Sequence, residues 1–207
     1  MWKSLLVSLL FFSSTSFAAT VLIYGDSLSA GYGLEPEQSW PALIAERWQG
    51  EPWQVVNASV SGETTQGGLA RLPTTLKAHQ PALVFLQLGA NDGLRGYRLT
   101  DSKTNLNRMI DLIEEQGGEV ILAEIMIPPN YGPRYSQAFT AMFSDVAKQQ
   151  QIELLPFFLQ TIAIKDDLMQ ADGLHPNAKA QPLIADIIEP LLRRHIKSIN
   201  DKNGAQM

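Results

Sequence analysis

The sequence has 207 residues, a formal net charge of −5 and no cysteine. No Lys/Arg cluster could track a nucleic-acid backbone, so no nucleic-acid partner is expected. The missing cysteines exclude disulfides, a thiol nucleophile and thiolate metal sites, and three histidines (His79, His175, His195) are too few to suggest a histidine-rich metal centre.

Residues 1–18 read as an export signal. Lys3 supplies a positive start, residues 5–12 an apolar run, and Ser16 and Ala18 the small residues of a cleavage site. The run is too short to span a bilayer comfortably. Cleavage after Ala18 is expected, giving a periplasmic or secreted protein without stable membrane insertion. Residues 19–207 are enough for one compact domain, and a monomer is the default expectation.

Short apolar runs then alternate with helical patterns, which argues for an α/β fold with a mostly parallel sheet. Strands are expected over 20–24, 53–57, 82–88, 119–125 and 151–155. Helices are expected over 41–48, 64–78 and 102–116, with another around Phe139, Met142, Phe143 and Val146. Residues 82–88 are almost wholly apolar, as befits a strand covered on both faces. Residues 127–134 read as a proline-rich loop, and 157–169 as irregular or short helix. A last helix carries Leu183, Ile184, Ile187, Ile188 and Leu191, kinked at Pro190, with frayed polar residues after Ile199. Arg193-Arg194 reads as a surface feature of a helix end, and His195 as a cation suited to a helix C-terminus. His79, before Pro81, falls at the sheet end opposite any site. Five strands with helical crossovers predict a three-layer α/β/α sandwich, whose ligands sit beyond the carboxyl ends of the strands.

Ser27, Gly62 and Asn91 each follow a predicted strand and so should meet at that edge. Ser27 lies in Gly25-Asp26-Ser27-Leu28-Ser29, at a turn where backbone N–H groups can meet an anion. It is not the G-x-S-x-G elbow, because Ser29 stands at the final glycine. A serine hydroxyl needs a neighbouring base to attack. Asp172-Gly173-Leu174-His175-Pro176 puts a carboxylate three residues before an imidazole, a spacing at which one ring nitrogen can meet Asp172 and the other can face Ser27. The Ser27 and Gly62 N–H groups and the Asn91 amide are candidates for an oxyanion hole. Each feature has a plain structural alternative: a helix cap at Ser27, a capped turn at Asp172, and turn chemistry at Gly62 and at Asn91-Asp92-Gly93. Asp26 is expected to hold the turn by accepting backbone N–H groups. Leu94, Ile127 and Pro129 are candidates to line an acyl groove, and a core role suits Ile127 equally.

Taken together, the blocks 25–29, Gly62, 89–92 and 172–176 resemble those of the SGNH or GDSL-type hydrolases, in order and at similar spacing. The resemblance covers nearly all of residues 19–207. It implies Ser27 as nucleophile, Asp172 and His175 as the rest of a triad, Gly62 and Asn91 as oxyanion donors, a flavodoxin-like fold and no cofactor. It also implies a mobile loop over 91–97. The sequence departs from close relatives of this type at Ala90, Glu63, Gly33 and Leu34, positions that flank catalytic groups. The resemblance implies hydrolysis of carboxylic esters and thioesters, with aryl esters, acyl thioesters and lysophospholipids as substrate types. A carbohydrate acetyl esterase and a noncatalytic lipid- or peptidoglycan-binding protein are the alternatives.

Overall fold

The computed structural model describes residues 19–205. The predicted leader, residues 1–18, lies outside them. Five parallel strands form one sheet in the order β2-β1-β3-β4-β5: β1 (Ala19–Gly25), β2 (Trp53–Asn57), β3 (Leu83–Gln87), β4 (Glu119–Ala123) and β5 (Glu153–Leu155). The helices are α1 (Ser27–Ala30), α2 (Trp40–Arg47), α3 (Thr65–His79), α4 (Ala90–Leu94), α5 (Leu99–Glu114), α6 (Pro133–Gln150) and α7 (Gln181–Gly204).

The two-residue period of the strands sorts their side chains into two cores. Val21, Ile23, Leu83, Phe85, Ile121 and Ala123 face α2 and α7. Leu22, Tyr24, Val84, Leu86, Val120 and Leu122 face α3, α5 and α6. This is the predicted three-layer sandwich. It explains why β3 reads as an apolar run up to Gln87: all five of its residues are buried. Each fully buried Leu, Ile or Phe contributes roughly 1.5–3 kcal/mol, so both faces of the central strands hold the sheet rigid beneath its loops.

Several boundaries differ from the sequence reading. Residues 90–94 form a short helix rather than a loop, and α6 starts at Pro133, which suits the first turn because proline lacks only an N–H that has no intrahelical acceptor there. Residues 157–169 hold turns and a short 3-10 turn at Asp166–Leu168. The tail does not fray after Ile199. That residue is buried, and Lys202 Nζ meets Glu119 Oε1 at 2.6 Å, so α7 continues through Pro190 to Gly204. Arg193, Arg194 and His195 therefore sit inside a helix and not at its end. Arg193 pairs with Glu51 and Glu189 and covers the Trp48 ring, Arg194 pairs with Glu153, and His195 lies between Glu119 and Glu153. His79 is the last residue of α3, one beyond the predicted helix end, and so stands before the N-terminal end of β3.

The strand order reverses between β1 and β3, because the chain leaves β1 for β2 on one side and then crosses to β3 on the other. Such a switch point opens a crevice at the carboxyl ends of the strands. Ser27 follows β1 and Asn91 follows β3, so both stand at that crevice.

Candidate active site

The turn after β1 is built around buried polar groups. Asp26 caps α1: its Oδ1 accepts from the Leu28 N–H at 3.1 Å and from Gln87 Nε2 at 3.0 Å, the structural role predicted for it. Gln87 Oε1 in turn accepts from Ser29 Oγ at 2.7 Å. A Cβ on Gly25 would lie 2.7 Å from Gln87 Oε1 and 3.0 Å from the Gln87 carbonyl oxygen, so this packing requires glycine. Ser27 is thus the first residue of a short helix, where backbone N–H groups have no intrahelical acceptor.

His175 approaches Ser27 from the loop before α7. Its Nδ1 lies 2.6 Å from Asp172 Oδ2 and its Nε2 lies 2.8 Å from Ser27 Oγ. The carboxylate can only accept, so Nδ1 carries the proton and Nε2 presents its lone pair to the hydroxyl. Asp172 Oδ1 also accepts from the backbone N–H groups of Leu174 and His175 at 2.9 and 3.0 Å. Desolvation acts to raise the Asp172 pKa, but the His175 ring and these two N–H groups outweigh it and hold the carboxyl at about 2. It stays ionised beside the imidazole at any ordinary pH. Gln170 fixes the loop by donating to the carbonyls of Tyr32 and Pro176 at 2.7 and 3.1 Å, and its N–H donates to the His175 carbonyl at 2.8 Å.

Gly62 and Asn91 reach the same place from β2 and β3. Gly62 has φ +79°, a conformation glycine adopts at little cost. Asn91 Nδ2 donates to the Glu63 carbonyl at 2.9 Å, which fixes the amide plane and leaves a second N–H on that nitrogen. Below them Asp92 is buried. Its Oδ1 accepts from Thr65 Oγ1 at 2.5 Å and Ser102 Oγ at 2.9 Å, and its Oδ2 accepts from the Thr65 N–H at 2.9 Å.

Ser27, Gly62, Asn91 and His175 line one cavity of about 710 Å³. The acyl-groove candidates Leu94, Ile127 and Pro129 line it as well. Ile127 lines the cavity and also packs in the core beside α6. The remaining wall comes mainly from the ends of β4 and β5, with Ile125, Met126, Phe157 and Ile164 among its residues. Sequence reasoning missed Met126, Ile164 and Leu174, which are exposed hydrophobics in irregular segments where no periodicity marks them. It also assigned no role to Tyr32, whose ring centroid lies 4.5 Å from that of His175. Tyr32 lies three residues beyond the first motif block, and that nearness is the one signal that could have singled it out.

A doubly wound α/β sandwich with a Ser–His–Asp hydrogen-bonded chain at its switch point has the architecture of a serine hydrolase. The comparisons narrow that class: the chain belongs to the GDSL-like lipase/acylhydrolase family, whose model matches residues 23–182. It is an ester or thioester hydrolase. Thioesterase 1/protease 1/lysophospholipase L1 of Escherichia coli K12 is 48% identical over 169 residues, spanning 82% of this chain and 81% of that protein. An arylesterase of Vibrio mimicus is 45% identical, spanning 92% of this chain and 98% of its own. The crystal structure of the psychrotrophic esterase EstA from Pseudoalteromonas sp., inhibited by monoethylphosphonate, superposes with a TM-score of 0.82 at 44% identity, covering 86% of this chain and 98% of that one.

Proposed function

We propose that the protein hydrolyses esters and thioesters of medium or long acyl chains through a covalent acyl-enzyme on Ser27. The observation that carries this is the 2.8 Å Ser27–His175 and 2.6 Å His175–Asp172 chain at the edge of an apolar cavity of about 710 Å³. His175 Nε2 takes the hydroxyl proton as Ser27 Oγ attacks the acyl carbon. The carbonyl π pair moves to oxygen, and the resulting oxyanion is met by the Ser27 and Gly62 N–H groups and the Asn91 amide. The oxyanion collapses, the bond to the leaving alcohol or thiol breaks, and His175 returns the proton to that group. Water then repeats the sequence on the acyl-enzyme, with His175 as base, releasing the acid and restoring Ser27. Asp172 holds the imidazole tautomer and stabilises the imidazolium in both halves.

The size and apolar wall of the cavity favour a lipid-type acyl group over acetyl, and so favour this reading over a carbohydrate acetyl esterase. The names of the relatives support thioesters, aryl esters and lysophospholipids as substrate types. The leader-like residues 1–18 support export to the periplasm or beyond, and among the described residues no helix is long and apolar enough to cross a membrane. We take the working unit to be a monomer of one domain.

The test is hydrolysis of nitrophenyl esters across an acyl-length series by the parent protein and by Ser27→Ala. The expected result is a medium- or long-chain optimum in the parent and a loss of about 10³-fold or more in kcat for the variant. An unchanged variant would overturn the nucleophile assignment, and a preference confined to acetyl would overturn the substrate assignment.

A further inference from the structure

Arg95 follows α4 with an exposed side chain, and its Nη2 donates to the Gly62 carbonyl at 3.2 Å. The guanidinium is therefore held against the loop after β2 with most of its five N–H donors unused by that bond. Among the described residues, every arginine except Arg95 and Arg134 forms an ion pair. Arg95 lies within residues 93–97, and Arg134 stands between two tyrosines that bond to that stretch. Arg134 shares a shallow hollow with Tyr131 and Tyr135. The Tyr131 hydroxyl donates to the Leu94 carbonyl, and the Tyr135 hydroxyl reaches the carbonyls of Gly93 and Tyr97. In a chain of net charge −5, Arg95 is thus a cation without a carboxylate partner, held beside Gly62 and next to Leu94, both of which line the cavity.

The sheet order gives this rim a direction. The apolar wall of the cavity comes from the ends of β4 and β5, Ser27 follows β1, and Gly62 follows β2 on the far edge. An acyl chain laid along the apolar wall directs the alcohol part of the ester away from it, toward Gly62 and Arg95. We propose that Arg95 is a specificity residue for the leaving group, recognising a phosphate carried on a short alcohol, as in the glycerophosphate headgroup of a lysophospholipid. The proposal rests on the acyl-hydrolase reading above. A guanidinium offers paired N–H donors that match two phosphate oxygens. Arg95 is one hydrogen bond from the loop beside Ser27, which fits a phosphate separated from the ester by glycerol alone. The nearest phosphate of an acyl-coenzyme A lies much further away, beyond the whole pantetheine arm.

The test uses two substrate pairs, each sharing one acyl chain and one scissile bond and offered as monomers at low salt. Decanoyl lysophosphatidylglycerol is set against monodecanoylglycerol, and decanoyl-coenzyme A against the decanoyl thioester of N-acetylcysteamine. In Arg95→Gln, the lysophospholipid-to-monoglyceride ratio of kcat/KM is expected to fall about fivefold, as for one exposed charged contact. Arg95→Lys should retain most of the ratio, high salt should reduce it in the parent, and the thioester ratio should stay within twofold of the parent's. A lysophospholipid ratio unchanged in Arg95→Gln would overturn the proposal. So would both members of the pair falling in step, which would make Arg95 a prop for Gly62 and nothing more. A fall in the coenzyme A ratio alone would overturn the short spacing. A parent that cleaves no member of either pair would overturn the acyl-hydrolase reading instead.

Discussion

Asp26, next to the proposed nucleophile, is fully buried, and its Oδ2 has no hydrogen-bond partner among the described residues. Burial raises its pKa from 3.8 to about 6, against the opposing pull of Gln87, the Leu28 N–H and the charge of His175. The folded state therefore holds this proton more tightly than the unfolded chain does. The stability that follows is fully present below about pH 4 and is lost as pH rises through about 6. Asp26→Asn removes the charge and keeps an oxygen that can accept from Leu28. Between about pH 4 and pH 7 its stability should rise relative to the parent by on the order of 2 kcal/mol, read from denaturant unfolding across that range. A constant difference would show that Asp26 does not titrate there. The sequence made a turn-holding role for Asp26 legible because short acidic side chains accept N–H groups two residues on. It gave no sign of Gln87, which lies 61 residues away and meets Asp26 only through the pairing of β1 with β3. Ser27, Gly62, Asn91, Asp172 and His175 were nominated because each follows a strand or sits in a compact motif. The pairing of Tyr32 with His175 was not, since aromatic contacts between loops have no period along the chain.

At the scale of elements, the groove wall depends on how α3, α4 and α5 are joined. Asp92 in α4 accepts from Thr65 at the start of α3 and from Ser102 in α5, while Asn105 Nδ2 of α5 donates to Thr65 Oγ1. The carboxylate thus satisfies three buried donors on two helices. Asp92→Ala should cost about 3–5 kcal/mol, since it strands these donors away from water. A thermal melt checks this, and a loss below about 1 kcal/mol would mean that water enters and replaces the carboxylate. This network also explains why α4 escaped the sequence reading. Asn91-Asp92-Gly93 is good turn chemistry, and five residues are too few to show a helical period. The helix is held by contacts made through Asp92, which local preference does not record. The end of α7 was missed for a similar reason, since its polar residues find partners on the sheet edge, Lys202 with Glu119 being one. The longer elements were legible because their buried residues repeat or run together: Leu106, Met109, Ile110 and Ile113 mark one face of α5, and four consecutive apolar residues, 83–86, mark β3.

At the scale of the whole molecule, two apolar layers hold the sheet and no covalent cross-link assists them. With no cysteine in the chain, thermal stability and esterase activity should be the same with and without a thiol reductant. A reductant-dependent melt would point to an additional component in the preparation. The layered fold was readable from alternation alone, because burial on both faces imposes one period on strands and another on helices. The cavity was readable only in part, through Leu94, Ile127 and Pro129, because its wall combines residues from the ends of separate strands. The spacing of the site along the chain also bears on synthesis. Ser27 emerges early, while Asp172 and His175 come just before the last helix, 148 residues separating serine from histidine. Their loop is tied back to Tyr32 through Gln170 and rests against a helix that is still to be made when the histidine is added. On the mechanism proposed above, a growing chain therefore carries a Ser27 hydroxyl without its base for most of its time on the ribosome, and the pair forms only as the last part of the fold is made.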